Sequence, residues 1–373
     1  MKQKMCTVLV GLCIFMTGCG NLKAEEGKEI TSSDTVVEHN TYLESESTEV
    51  TIDETIEEHL FVQTNFQSSS EDLPLYDTEL KQFDSQKVAS IIWPQASENE
   101  IQKEEMDDKS VTMNYEDGVL AVNSGVLLYR RNNDTSYYDT LLSYASKENR
   151  SEEKDLEFMT KEEAQNEVES ILSQLEIGGE LKTPTIVCAS KNDLSSIQDT
   201  MRNDEDYSSL FVAKQIDEET FDNTKGFYYF KYDFCINSVP VYASNAPSVQ
   251  MMGDMDRALL AYPMQAIVII SEKGIEEIQL MGALEQLDDQ SKKFEIIQYE
   301  GIREALEKKY GDVILTDDYK VIRIWMEYFP LIKADSFSEV ELIPVWCCDF
   351  EINGETGLDY TIRFNAITGE EIS

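Results

Sequence analysis

Between Leu80 and Asn365 an amphipathic helical stripe followed by short alternating strands recurs three times, punctuated by residues that favour tight turns. That recurrence restricts the chain more than any other feature, because a lone helix or hairpin can hide its apolar face only against another element. In the first segment, residues 71–150, Leu80, Phe83, Val88, Ile91 and Ile92 share one helix face, and Pro94 stops the helix. Val111, Met113 and Tyr115 then alternate, with turn signals at Glu116-Asp117-Gly118 and Asn123-Ser124-Gly125. The second segment, residues 151–285, opens on Thr160-Lys161-Glu162-Glu163, where the threonine oxygen and the Glu163 carboxylate satisfy amides left free at a helix start. Ala164, Val168, Ile171, Leu172 and Leu175 continue at helical spacing, and strands are expected over residues 227–234, 239–243, 265–271 and 275–281. The third segment, residues 286–373, places a strand at 294–298, a helix at 302–310 closed by Gly311, and strands at 319–328, 342–352 and 361–365. The expected class is therefore α+β, a helix packed on an antiparallel sheet and repeated.

Ahead of these segments the chain reads as an address. Met1-Lys2-Gln3-Lys4 is cationic, and the apolar run at residues 8–16 is too short to span a bilayer. Met16-Thr17-Gly18-Cys19 resembles the bacterial lipobox, with Met16 standing where leucine is commoner. Residues 1–18 are thus expected to be a lipoprotein signal peptide, and lipid on Cys19 is expected to hold the chain on the outer face of the cell membrane. Residues 19–70 are rich in Glu, Ser and Thr with no sustained apolar period, which predicts a disordered acidic tether reaching roughly 40 Å. Within it, residues 55–66 are expected to form at most a transient helix.

The formal charge of −42, from 73 acidic against 31 basic residues, argues against nucleic acid, whose binding needs clustered Lys and Arg. A macromolecular partner is instead expected to be a basic envelope protein or peptide. His39 and His59 are the only histidines, and both fall in the expected tether. The folded part is therefore expected to lack the imidazole of a Ser-His or Cys-His site and of histidine-liganded zinc. Acidic clusters at Asp204-Glu205-Asp206, Asp254 and Asp256, Asp288-Asp289 and Asp317-Asp318 have neither the spacing nor the central glycine of a calcium loop. No catalytic residue, metal or cofactor is assigned. Cys188, Cys235, Cys347 and Cys348 form no Cys-x-x-Cys pair and are expected to be buried thiols, with a Cys188 to Cys235 disulfide left open. Met251-Met252, Met255 and Leu259-Leu260 suit either core filling or an adaptable apolar surface.

Three stretches carry a resemblance to a known family. The helix from Thr160 through Leu172, the pair around Ile236-Asn237-Ser238-Val239-Pro240-Val241, and the terminal Asn365-Ala366-Ile367-Thr368-Gly369-Glu370 are similar to PepSY-like modules. Ser238 stands where glycine is common in such modules. Tyr328, Pro330 and Leu342-Ile343-Pro344-Val345-Trp346 also resemble extracytoplasmic accessory regulators of the cell-wall sensor kinase of Gram-positive bacteria, and lipoproteins of that architecture. The resemblance implies PepSY/cystatin-like units and a non-enzymatic binding or regulatory role at the cell envelope. A solute-capture lipoprotein and a carboxylate-dependent cell-wall hydrolase are the alternatives.

Overall fold

Tyr228, Phe230, Tyr232 and Phe234 alternate along the chain and all are buried, the signature of a strand pressed by one face onto a core. Gln265 to Ser271 is buried at every residue, so that strand has neighbours above and below. Both belong to a computed structural model that describes residues 49–68, 72–106, 110–131, 155–203, 226–243, 250–252, 259–261, 263–287, 291–332, 336, 338–354 and 360–372. Two units emerge. Among the described residues, 189–203 belong to the smaller and the remainder to the larger.

In chain order, β1 (Glu49–Glu57) and β2 (Leu60–Gln67) form a hairpin, and β3 (Leu73–Pro74) and β4 (Tyr76–Glu79) lead to α1 (Ser85–Ile92). A meander follows: β5 (Gln102–Glu105), β6 (Val111–Tyr115), β7 (Gly118–Asn123) and β8 (Val126–Arg131). Then come α2 (Lys161–Gln174), β9 (Glu180–Leu181), β10 (Thr185–Ser190) and α3 (Lys191–Asn203). Three strand pairs succeed them: β11 (Gly226–Ile236) with β12 (Val239–Pro240), β13 (Gln250–Met252) with β14 (Leu259–Ala261), and β15 (Gln265–Ser271) with β16 (Gly274–Met281). The chain closes with β17 (Lys293–Phe294), α4 (Tyr299–Tyr310), β18 (Tyr319–Ile332), β19 (Glu339–Ile352), β20 (Thr361–Asn365) and β21 (Glu371–Ile372).

One sheet runs β1-β2-β18-β19-β20-β21, with β14 and β13 joined through β18 and β4 joined to β19. A second runs β10-β11-β15-β16-β8-β7-β6-β5, with β9 and β12 on β11. In the larger unit α1 lies beside α2, α2 packs on β11 and α4 packs against β1. The smaller unit contributes α3, opened by Ser190, whose amide donates to Asp193 Oδ2 at 2.8 Å, and buried through Leu194 and Ile197.

These pairings correct the expected class. Among the described residues strand makes up 51% and helix 18%, so the architecture is mostly β with large sheets, not an α+β repeat of PepSY/cystatin-like helix-on-sheet units. Most elements that spacing places lie close to it, though the strand expected at 294–298 is only Lys293–Phe294, and α3 and β10 were not expected; the strand partners, however, do not respect the three segments. β8 pairs with β16 from Arg130↔Glu277 to Leu127↔Leu280, and β4 pairs with β19, so the sheets are shared among segments. Leu80, placed in the first helix stripe, instead bridges Leu284, and Phe83 also precedes α1.

The expected tether also needs correction. Residues 49–67 are strands, not disordered chain or a transient helix, and Leu60, Val62 and Phe66 are buried in the main core. The period-two pattern is hard to see because a turn at Glu58-His59 and a bulge near Thr55 interrupt it, while the outward residues, Val50 apart, are Glu, Asp, Thr, Gln and Asn.

Residues that carried the family resemblance serve local geometry. Thr160 and Glu163 form the expected capping box of α2, with Glu163 N to Thr160 Oγ1 at 3.2 Å and Thr160 N to Glu163 Oε2 at 3.0 Å. Asn237 and Ser238 both have positive φ, 49° and 65°, as a two-residue hairpin turn of the primed type requires, and Asn237 Nδ2 donates to Tyr76 Oη at 2.7 Å. Asn365 Oδ1 accepts from the amides of Ile367 and Thr368 at 2.8 and 3.1 Å, and Gly369 supplies the left-handed residue that returns the chain into β21. Trp346 packs 5.1 Å from Phe66 and donates Nε1 to Ile297 O at 2.8 Å, a sheet-to-loop tie.

Candidate functional site

Two places on the first sheet gather chemistry-bearing side chains. After a register shift between Val321 and Arg323, alternate residues of β18 line up across the sheet with β19 and β20. Trp325, Cys347 and Arg363 form one row, and Arg323, Asp349 and Thr361 the next. Arg323 Nη2 meets Asp349 Oδ2 at 2.6 Å, Thr361 Oγ1 donates to Asp349 Oδ1 at 2.5 Å, and the Arg323 guanidinium lies 3.9 Å from the Trp325 ring centre.

Arg363 of the first row belongs to a buried ion pair beside the apolar cluster of Tyr242, Phe329, Leu331, Ile343, Val345 and Cys347. Glu327, only 6% exposed, accepts from Arg363 Nε at 3.0 Å and from Trp325 Nε1 at 3.3 Å. Arg363 in turn stacks against Tyr242 and Phe329, 4.8 and 4.9 Å from the ring centres. Burial opposes the arginine's charge, but its neighbours, the Glu327 carboxylate foremost, together outweigh it and raise the pKa. Burial, then the Glu327 charge, pushes the adjacent Cys347 thiol well above its ordinary range, and burial does the same to Cys348. A thiol held protonated is a poor nucleophile, so this cluster has the chemistry of a sheet-locking pair.

The second place is one end of the same sheet, where α4 stops at Gly311 and residues 311–318 loop back into β18. Val313 N donates to Tyr310 O at 2.9 Å at the start of the loop. Asn353 holds the far side: its Nδ2 donates to Asp317 Oδ1 at 2.7 Å, its Oδ1 accepts from Asp318 N at 3.0 Å, and its amide donates to Asp318 O at 2.9 Å. The turn of the β1–β2 hairpin adds a third support. His59, with a φ of 65°, places Nδ1 2.6 Å from Asp318 Oδ1 and accepts Tyr319 N on its carbonyl at 2.9 Å. The hydrogen bond to Asp318 is the main reason the imidazole is held above its ordinary value of 6.5, with Glu58 and Asp317 reinforcing it.

Tyr310 and Tyr319, which flank the loop, pack ring on ring with Phe350 and Tyr360, with centres 5.4 to 6.3 Å apart. The Tyr310 and Tyr360 hydroxyls meet at 3.1 Å. Within the loop Val313 is 52% and Ile314 92% exposed, while neighbouring Leu315 packs against the core.

The sequence-assigned site residue, Cys19, lies outside the described residues, as do His39, Met255 and the acidic pairs Asp254/Asp256 and Asp288/Asp289. Asp317 and Asp318 are described, and each is engaged by a side chain, Asn353 and His59 respectively. No group of three metal-capable side chains occurs among the described residues. Cys188, Cys235, Cys347 and Cys348 are buried and not disulfide-bonded, so the disulfide left open between Cys188 and Cys235 is not formed. Met251 and Met252 stand on β13 opposite Leu260 and Leu259 of β14. His59 belongs to the folded body, contrary to its assignment to the tether. The Glu327–Arg363 pair and the exposed Val313-Ile314 were missed as well; the Gly311 helix stop and the Asp317-Asp318 cluster are the sequence signals that fall in the loop.

No protein-family model matches this chain, and no curated protein does. It is similar in structure to an uncharacterized protein from Eubacterium rectale ATCC 33656, known from a crystal structure. The two share 15% identity at a TM-score of 0.53, over 87% of this chain and 93% of that one. A likeness at that identity concerns the fold alone.

Proposed function

We propose that this protein is a lipid-anchored module on the outer face of the cell membrane, attached through Cys19, that binds or regulates an envelope partner without catalysing a reaction. The observation that carries the reading is the braced loop of residues 311–318, which offers Val313 and Ile314 to solvent from a support of hydrogen bonds and stacked rings. Such preorganised apolar exposure serves recognition, because little freedom is lost when a partner covers it. Placement agrees. β1 starts at Glu49 and reaches the loop cluster at Glu57, about 30 Å along a strand at ~3.4 Å per residue, so the loop end stands away from the end at which β1 begins. The lipobox-like Met16-Thr17-Gly18-Cys19 supports the anchor. No helix among the described residues is long and apolar enough to cross a membrane, and lipid on Cys19 would supply attachment without one.

Replacing Cys19 with Ala tests the anchor. The variant should lose incorporation of labelled fatty acid and leave the membrane fraction, whereas undiminished labelling would refute the lipobox assignment. Turnover of peptidoglycan fragments by the purified protein would overturn the non-enzymatic part.

A further inference from the structure

We propose that the loop of residues 311–318 is a docking tip for a protein whose contact surface joins an apolar socket to a rim of basic side chains. The proposal rests on the binding reading above and gives its partner a chemistry. A single exposed aliphatic side chain is ordinary on a protein surface. Two in succession on a loop fixed at both ends, one of them almost fully in water, are not explained by packing, since Leu315 alone turns inward.

The surroundings define what can cover them. Glu57, Glu58, Asp312 and Asp318 are exposed around the loop and the hairpin turn, and Asp317 is partly so. On the cationic side, His59 is already engaged by Asp318, and the last turn of α4 carries Lys308 and Lys309, the latter paired with Glu371 at 2.6 Å. The rim is therefore acidic around an apolar centre, the arrangement of an interface whose polar edge selects the partner by charge. A second copy of the tip would bring like charges together. An anionic lipid surface would be repelled for the same reason. A basic rim on the partner satisfies both parts of the surface, and the overall charge of −42 adds attraction at long range.

The test uses the full-length protein and a probe peptide in which leucine and lysine alternate, beside a control in which every leucine is serine. The double variant Val313→Ser, Ile314→Ser keeps the charge and alters only exposed side chains, so it should fold as the parent does. The leucine peptide should bind the parent at least about tenfold more tightly than the double variant, as removal of a central apolar anchor does, and added salt should weaken it. The serine peptide should not distinguish the two proteins. Equal affinity of parent and variant for the leucine peptide would overturn the proposal, as would binding that ignores salt. Flotation of the parent, but not the variant, with anionic vesicles would assign the tip to a membrane. Self-association lost in the variant would assign it to a second copy. Labelling of Cys19 and inertness towards peptidoglycan are independent readouts, so failure at the tip with those intact removes this inference and leaves the anchored, non-catalytic module standing.

Discussion

Glu327 and Arg363 exchange charge where water has little access, with side chains 8% and 14% exposed and with both carboxylate oxygens and the arginine Nε occupied. Removing one partner leaves the other desolvated and alone, so Glu327→Ala should destabilise the protein by about 3–5 kcal/mol in urea titration. Replacing both residues together by apolar ones of similar volume should restore most of that loss. A single substitution with a change below ~1 kcal/mol would show that the pair is solvated and relaxed. His59 makes a different kind of contact, exposed and responsive to pH. The hydrogen bond to Asp318 favours the protonated ring, so the contact contributes fully below the ordinary value of 6.5 and is lost as pH rises through the elevated folded value. An NMR titration of His59 should therefore midpoint above 6.5 and shift down in Asp318→Asn. Identical midpoints in the two proteins would exclude the pairing.

The hairpin β1–β2 shows how composition hides an element. Its outward residues give the segment the look of a solvated tail, while Leu60, Val62 and Phe66 face inward, Phe66 lying 5.7 Å from Tyr299 and 5.1 Å from Trp346. Burying three such side chains is worth about 1.5–3 kcal/mol apiece, more than a tether can lose without consequence. Deleting residues 49–67 should accordingly lower the urea midpoint sharply or abolish folding. A deletion that unfolds at the parent's midpoint would return the segment to the status of a tether. By contrast, α2 was legible from Thr160 and Glu163 alone, because a capping box is complete within four residues and depends on nothing elsewhere in the chain.

Across the larger unit, the β8–β16 and β4–β19 ladders join stretches that read in sequence as separate segments. Their folding should be joined too. Trp93, set against Tyr115 and Tyr129, and Trp346, set against Phe66, report on opposite ends of the chain order within that unit. Single-tryptophan variants retaining one or the other should unfold at coincident urea midpoints, as one cooperative body does. Separated midpoints would mean that the segments are independently stable. Fold class therefore depended on information that periodicity does not contain. Local pattern was enough for α1, α2 and α4, for strands such as β11, β15 and β16, and for the turns at Glu116-Asp117-Gly118 and Asn123-Ser124-Gly125, because caps, alternation and left-handed residues act over a few positions; α3 and the β1–β2 hairpin escaped it. Which strands became neighbours, and with them the sites, was settled by packing across the chain: His59 meets Asp318 across 259 residues, and Arg363 meets Glu327 across 36. Strand pairing is chosen by which apolar faces can be buried together over the whole chain, a long-range competition that spacing within any one segment leaves open.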